Sequence, residues 1–188
     1  DVVDADLFTI RKMKQGDDAA FDAFVRKYYG DILKYCTFHC ADRKEAEDLT
    51  QETFVRFFAK LSEYRYQGKT KNYLYTIAAN LCRNHYKKRR PVPLDTEVLT
   101  VAAGAAPDEE AAASTHLLLE RALAQLAPEQ REVIILHYYQ GLKLREIADV
   151  LEIGLPLVKY RLRQAKAKLQ ECIGREALDH DAGRTAEH

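Results

Sequence analysis

The chain has 188 residues, of which 47% are hydrophobic, enough for one large core or two small ones and too many for wholesale disorder. Its 29 Lys and Arg balance 29 Asp and Glu, yet residues 1–90 hold 18 bases against 13 acids and residues 91–188 hold 11 against 16, so charge is local and the whole-chain balance says nothing about partners. No apolar run approaches the ~18–20 residues of a membrane span and no signal-peptide pattern opens the chain, while four scattered cysteines (Cys36, Cys40, Cys82, Cys172) are too few for a disulfide framework; a reducing cytoplasm is the expected setting.

Nearly every segment reads as helix. Asp4 to Lys14 forms a first helix, stopped by Gly16. Asp17 or Asp18 can cap a second through Ala19–Cys36, with Phe21, Phe24, Val25, Tyr28 and Ile32 on its apolar side. Asp42 can cap a third from Arg43 to Leu61, in which Phe54, Phe57, Phe58 and Leu61 recur at i, i+3, i+4, i+7 and face a core. A polar loop, Ser62–Lys69, carries Tyr64, Tyr66 and Gly68. Thr70 can then cap a fourth helix from Lys71 to about Lys88, burying Leu74, Ile77, Ala78 and Leu81.

Composition changes at Pro91-Val92-Pro93, which stops that helix. Residues 91–106 have no convincing period and read as a linker between a first domain at 1–90 and a second at 107–173. Helical pattern resumes at Asp108-Glu109-Glu110, where acids suit a helix N-terminus, and runs to Leu126. Pro128 starts a further helix through Val133, Ile134, Leu136 and His137, ended near Gly141. Two short helices around a tight turn follow, from Lys143 to Leu169. Residues 174–188 lack periodic apolar content and are expected to be a flexible tail. The fold class is all-α: two small helical domains, the second with a helix-turn-helix.

Three helix faces carry possible chemistry. In the last helix Leu155, Val158, Leu162, Ala165 and Leu169 form an inward stripe, while Pro156 to Lys168 contains five cations and no carboxylate. Its outward face presents Tyr160, Arg163 and Gln164, flanked by Lys159, Arg161, Lys166 and Lys168. Edge-reading groups at the centre and phosphate-binding cations at the sides are what a helix in a major groove requires. The fourth helix shows Asn72, Thr76, Asn80, Arg83 and Lys87 outward and ends in Lys87-Lys88-Arg89-Arg90, beside the tyrosine loop; that set suits a nucleic-acid strand. The third helix exposes Asp48, Glu52, Val55 and Ala59, with Leu49 and Arg56 beside them, a strip that either docks a protein or is simply solvated. Cys36, His39 and Cys40 have spacing compatible with zinc ligation but lack an evident fourth ligand, and no metal or other cofactor is expected. No nucleophile–base pair, phosphate-cradling loop or paired acid site points to an enzyme.

The run Ala46-Glu47-Asp48-Leu49-Thr50-Gln51-Glu52-Thr53-Phe54 resembles the most recognisable motif of bacterial extracytoplasmic-function sigma factors. So do Leu74-Tyr75-Thr76-Ile77-Ala78-Ala79-Asn80 and Leu123-Ala124-Gln125-Leu126-Ala127-Pro128-Glu129-Gln130-Arg131-Glu132-Val133-Ile134, the latter leading to Gly141-Leu142 and Glu146-Ile147-Ala148. Order and spacing agree from about Phe8 to Ile173. The resemblance implies that Asp48, Leu49, Gln51, Glu52, Val55 and Arg56 dock on core RNA polymerase. It implies that Tyr64, Tyr66, Asn72, Thr76, Asn80, Arg83 and Lys87 melt and read the −10 element of promoter DNA, and that Lys159, Tyr160, Arg161, Arg163, Gln164, Lys166 and Lys168 read the −35 element. It also suggests an anti-sigma partner. The chain departs from the family in the turn, where Glu152 stands in place of Gly, and in the recognition helix, where Leu157 replaces Thr and Tyr160 replaces Ser. The competing reading is a stand-alone helix-turn-helix regulator, which would have no reason to carry the Asp48–Phe54 motif.

Overall fold

Two aspartates and a glycine set the helix boundaries at the start of the chain. Helix α1 (Ala5–Lys14) closes as Gly16 adopts φ 82° and donates to the Met13 carbonyl at 3.0 Å, while the Asp17 N–H reaches back to Lys12 at 3.2 Å. This is a Schellman closure with glycine at the left-handed position, where it meets no Cβ penalty. The Asp17 carboxylate then caps α2 (Asp18–Thr37) by accepting from the Ala20 N–H. Asp42 caps α3 (Arg43–Ala59) through the Glu45 N–H at 2.9 Å, and α4 spans Thr70–Lys88.

This computed structural model describes residues 5–40, 42–88 and 121–185. The expected linker 91–106, the Arg89-Arg90 pair, the helix start at Asp108-Glu109-Glu110 and residues 186–188 lie outside them. The chain divides into two compact units, the first built mainly from residues 5–88 and the second mainly from residues 121–185. Among the described residues every element is helical, as expected, and none is long and apolar enough to cross a membrane.

In the first unit α2 packs on α1, α3 and α4, and α3 on α4. Phe24 stacks face to face on Phe57, with ring centroids 4.8 Å apart, and meets Phe54 edge-on at 6.3 Å. Most expected core residues are buried: Phe24, Tyr28, Ile32, Phe54, Phe57, Leu61, Leu74, Ala78 and Leu81. Phe21, Val25, Phe58 and Ile77 sit at its edge, half-buried. Thr50 and Thr53 are buried on the same face of α3, which their polarity hides in the sequence. Their hydroxyls donate back to the Ala46 and Leu49 carbonyls at 2.7 and 2.8 Å, so no polar group is stranded.

The second unit has helix at 121–124, then α5 (Pro128–Ile134), which passes without a break into a π-helical turn, Ile135–Tyr139. Periodicity anticipated one ordinary helix here. The wider turn advances the side chains by one residue, burying Ile135 and Leu136 and leaving Tyr138 exposed. Helix α6 (Leu144–Leu151) starts with the Glu146 carboxylate accepting from the Lys143 N–H at 2.7 Å.

The turn between α6 and α7 (Leu155–Thr185) repeats the closure seen at Gly16, with a different residue at its centre. Ile153 N–H donates to Ala148 at 3.1 Å and Glu152 N–H to Asp149 at 3.3 Å, with Glu152 at φ 55°. The position where the family resemblance leads one to expect glycine is therefore left-handed, and Gly154 does not relieve it. The Gly154 carbonyl instead accepts from the Leu157 and Val158 N–H groups and opens α7, with Pro156 in the first turn where a missing donor costs nothing. A left-handed non-glycine residue costs about 1–2 kcal/mol, and glycine's extra unfolded-state entropy returns about 0.5–1 of it. Glu152→Gly is accordingly expected to stabilise the second unit by about 0.5–1 kcal/mol, a rise of roughly 3–6 °C in its melting transition. Calorimetry of the full chain checks it; a lowered transition would contradict the strain argument.

Helix α7 continues through Gly174 to Thr185, where a tail was expected. The segment Arg175-Glu176-Ala177-Leu178 is rich in strong helix formers without an apolar stripe, so propensity extends the helix where periodicity gave no sign of it.

Candidate nucleic-acid interface

The stacked Phe24–Phe57 pair and the edge-on Phe54 fix the rotation of α3, so its opposite side is turned outward. Asp48, Gln51, Val55 and Arg56 are exposed there, and Leu49 and Glu52 are half-buried beside them. Val55 is 59% exposed, an apolar side chain set among polar and charged ones. Arg56 Nε donates to Glu52 Oε1 at 2.7 Å, an i,i+4 pair that holds both side chains along the strip.

Helix α4 buries Leu74, Tyr75, Ala78, Ala79, Leu81 and Cys82. Asn72, Thr76 and Asn80 are half-buried along its other side, and Arg83 and Lys87 are exposed beyond them. Thr76 Oγ1 donates to the Asn72 carbonyl at 3.1 Å, and Arg83 Nη1 donates to Asn80 Oδ1 at 3.1 Å. The five expected residues thus lie on one stripe, amides towards its start and cations towards its end.

Tyr64, expected at the −10 site, is half-buried against neighbouring rings. Its ring lies 5.2 Å from Phe57 and 5.1 Å from Tyr73, and its hydroxyl donates to Thr70 Oγ1 at 3.5 Å. Burial raises its phenol above the usual range, so the group is a neutral donor. Tyr64 packs at the loop's root, and Tyr66 is half-buried as well.

In the second unit α5 packs on α7, and Val158, Leu162 and Ala165 are buried as the stripe predicts, with Leu155 and Leu169 half-buried. Lys159, Tyr160, Arg163, Gln164, Lys166 and Lys168 are exposed and Arg161 is half-buried. Tyr160 is 51% exposed, with the Arg163 guanidinium 5.9 Å from its ring centroid. The π-helical turn adds a residue that sequence reasoning missed: Tyr138 is exposed, with the Lys166 amine 5.6 Å over its ring. No composition signal marks the π turn, so nothing in the sequence set Tyr138 apart. Leu157, 40% exposed, stands at the start of the same helix.

Among the described residues no three His, Cys, Asp or Glu side chains are gathered to hold a metal. Cys36 and Cys40 are buried thiols, and the His39 ring packs on Tyr35 at 4.7 Å.

A basic helix behind a tight turn, and a separate helical unit with an amide-and-cation face, are surfaces of the kind that nucleic-acid-binding proteins carry. Residues 24–92 match the family described as Sigma-70 region 2, and residues 116–169 match Sigma-70, region 4. The chain is 33% identical over 175 residues to the ECF RNA polymerase sigma factor SigW of Bacillus subtilis, covering 86% of this chain and 93% of that protein. The fold is that of CnrH, solved in complex with the cytosolic domain of CnrY (TM-score 0.71, 23% identity, covering 92% of this chain and 99% of that one). It is also that of the sigma factor RpoE of Bartonella quintana, solved with the anti-sigma factor NepR (TM-score 0.64, 22% identity, covering 82% and 96%). The chain belongs to the extracytoplasmic-function branch of the sigma-70 family. It is an RNA polymerase sigma factor, directing core polymerase to specific promoters and promoting their melting.

Proposed function

We propose the following division of labour. The strip on α3 (Asp48, Leu49, Gln51, Glu52, Val55, Arg56) docks on core polymerase. The α4 stripe (Asn72, Thr76, Asn80, Arg83, Lys87), with the loop bearing Tyr66, opens and reads the −10 element. The exposed face of α7 (Lys159, Tyr160, Arg161, Arg163, Gln164, Lys166, Lys168) reads the −35 element as duplex. The observation that carries this reading is the pair of faces on the first unit. Two helices that share one core turn out surfaces of different chemistry, acid with an exposed valine on α3 and amide with cation on α4.

The mechanism is non-covalent and involves no catalytic residue or cofactor. Cations neutralise phosphates, and a base drawn from the stack and held beside α4 contributes binding energy that offsets an unstacking cost of a few kcal/mol. On α7, Tyr160 and Leu157 offer apolar contact suited to a thymine methyl, and Arg163 and Gln164 offer hydrogen bonds to base edges. The setting is the cytoplasm, where polymerase and promoter meet. An anti-sigma factor that covers the α3 and α7 faces would keep both from their targets, by analogy with the relative solved with one.

Co-elution with core polymerase, followed by run-off transcription from a genomic library, tests the function and recovers the promoter. Absence of any complex at low salt, with inhibitors removed, would overturn the reading. Lys159→Ala and Lys168→Ala should each weaken −35 duplex binding evenly across sequences and reduce the slope of log K against log salt by about one unit. Titrations across a salt series measure this, and an unchanged slope would remove that lysine from the phosphate contacts.

A further inference from the structure

We propose that Lys14, at the end of α1, is a positioning residue for the loop Ser62–Lys69; this rests on assigning that loop to −10 recognition. Lys14 Nζ donates to the Tyr64 carbonyl at 2.7 Å and to the Ser62 carbonyl at 3.4 Å. These carbonyls follow the end of α3, where the chain has left the regular helical hydrogen-bond ladder. A cation at a helix C-terminus also meets the negative end of the macrodipole.

The amine is itself held in place. Ile10 and Met13 anchor α1 in the core, each 2% exposed. Asp6, at the other end of α1, accepts from Lys27 Nζ at 2.5 Å and from the Tyr28 hydroxyl on α2. The helix is therefore pinned along its length, and its last turn delivers Lys14 to the loop.

Tyr64 is consequently gripped twice. Its carbonyl is bound from α1, while its ring lies against Phe57 and Tyr73 and its hydroxyl reaches Thr70. The loop leaves this root through Arg65 and Tyr66 and turns at Gly68, with φ 74°. A root fixed before DNA arrives spares the complex the entropy of ordering the loop around an unpaired base. Tyr64 thus contributes by holding the backbone and not by stacking, and Lys14 contributes without touching DNA.

The test uses holoenzyme assembled with Lys14→Met, which keeps length and removes both charge and donors, and with Lys14→Arg, which keeps them. The probe is a single-stranded non-template oligonucleotide spanning the −10 element of the promoter recovered by run-off, with either the cognate base or an abasic site at the flipped position. The expected result for Lys14→Met is a roughly three- to tenfold loss of affinity for the cognate strand. Discrimination against the abasic strand should shrink as well, with core affinity and duplex −35 binding unchanged and Lys14→Arg close to wild type. Because Lys14 is exposed, folding should survive; if the methionine variant melts early, Lys14→Leu takes its place. Wild-type discrimination retained in every non-basic variant overturns the Lys14 proposal alone. A wild-type holoenzyme that does not discriminate overturns the −10 assignment, and the proposal with it.

Discussion

Holoenzyme carrying Asn80→Ala together with Arg83→Ala is expected to assemble normally and fail to open its promoter. Arg83 is exposed and Asn80 half-buried, and both lie off the packed side of α4, where Leu81 and Cys82 carry the burial. Alanine is the better helix former at both positions, so unfolding does not explain a loss. What disappears is one base-edge group and one cation, each supplying about 1–3 kcal/mol against an unstacking cost of the same order. Open complex should fall by roughly a hundredfold or more, read by permanganate reactivity of promoter thymines, while competition binding to core polymerase stays unchanged. The single variants should not sum to the double. Arg83 Nη1 donates to Asn80 Oδ1 at 3.1 Å, so removing either partner releases the other to reach DNA along a different path. A template already melted at the −10 element should restore much of the activity, because the unstacking cost is then absent. Normal melting by the double variant would mean that another surface opens the duplex.

The features that were legible in the sequence are those whose causes are local. Asp17 and Asp42 cap their helices because a short carboxylate reaches an N–H three residues on, and that chemistry needs no tertiary partner. The outward stripes of α3, α4 and α7 were legible because a helix period divides each segment into two faces, and three interlocking motifs told the family. Tyr64 was not legible. A loop residue has no period, so only the presence of Phe57 and Tyr73 decides that its ring turns inward. The π turn at Ile135–Tyr139 escaped because an inserted residue leaves no mark in composition, and with it went Tyr138. Glu152 was legible as a departure from its relatives, but its cost was not, since only the backbone shows the residue taking the left-handed angle itself. Lys14 was invisible for the plainest reason: its partners lie 48 and 50 residues away.

The second large effect is expected on α3. Val55→Asp, and more strongly Val55→Asp combined with Asp48→Lys, should lower affinity for core polymerase by roughly a hundredfold. If this face were merely solvated, both substitutions would be nearly silent, within about 0.5 kcal/mol in stability and without effect on assembly. The structure makes that contrast sharp. Val55 is 59% exposed and so contributes little to the first unit's core, and Asp48 is exposed on the same face. A loss of polymerase affinity from these positions therefore cannot be traced to unfolding. An apolar residue ringed by the Glu52–Arg56 pair and Asp48 has the anatomy of an interface anchor, desolvated at its centre with charges at the rim. A carboxylate at position 55 would have to be buried without a partner on docking, and reversing Asp48 would set a cation wherever core polymerase presents one. The measurement is fluorescence anisotropy of labelled chain titrated with core polymerase, alongside thermal melting and duplex −35 binding, both expected to hold. If core affinity also holds, the strip on α3 is ordinary solvated surface, and the contact with polymerase must be sought elsewhere on the chain.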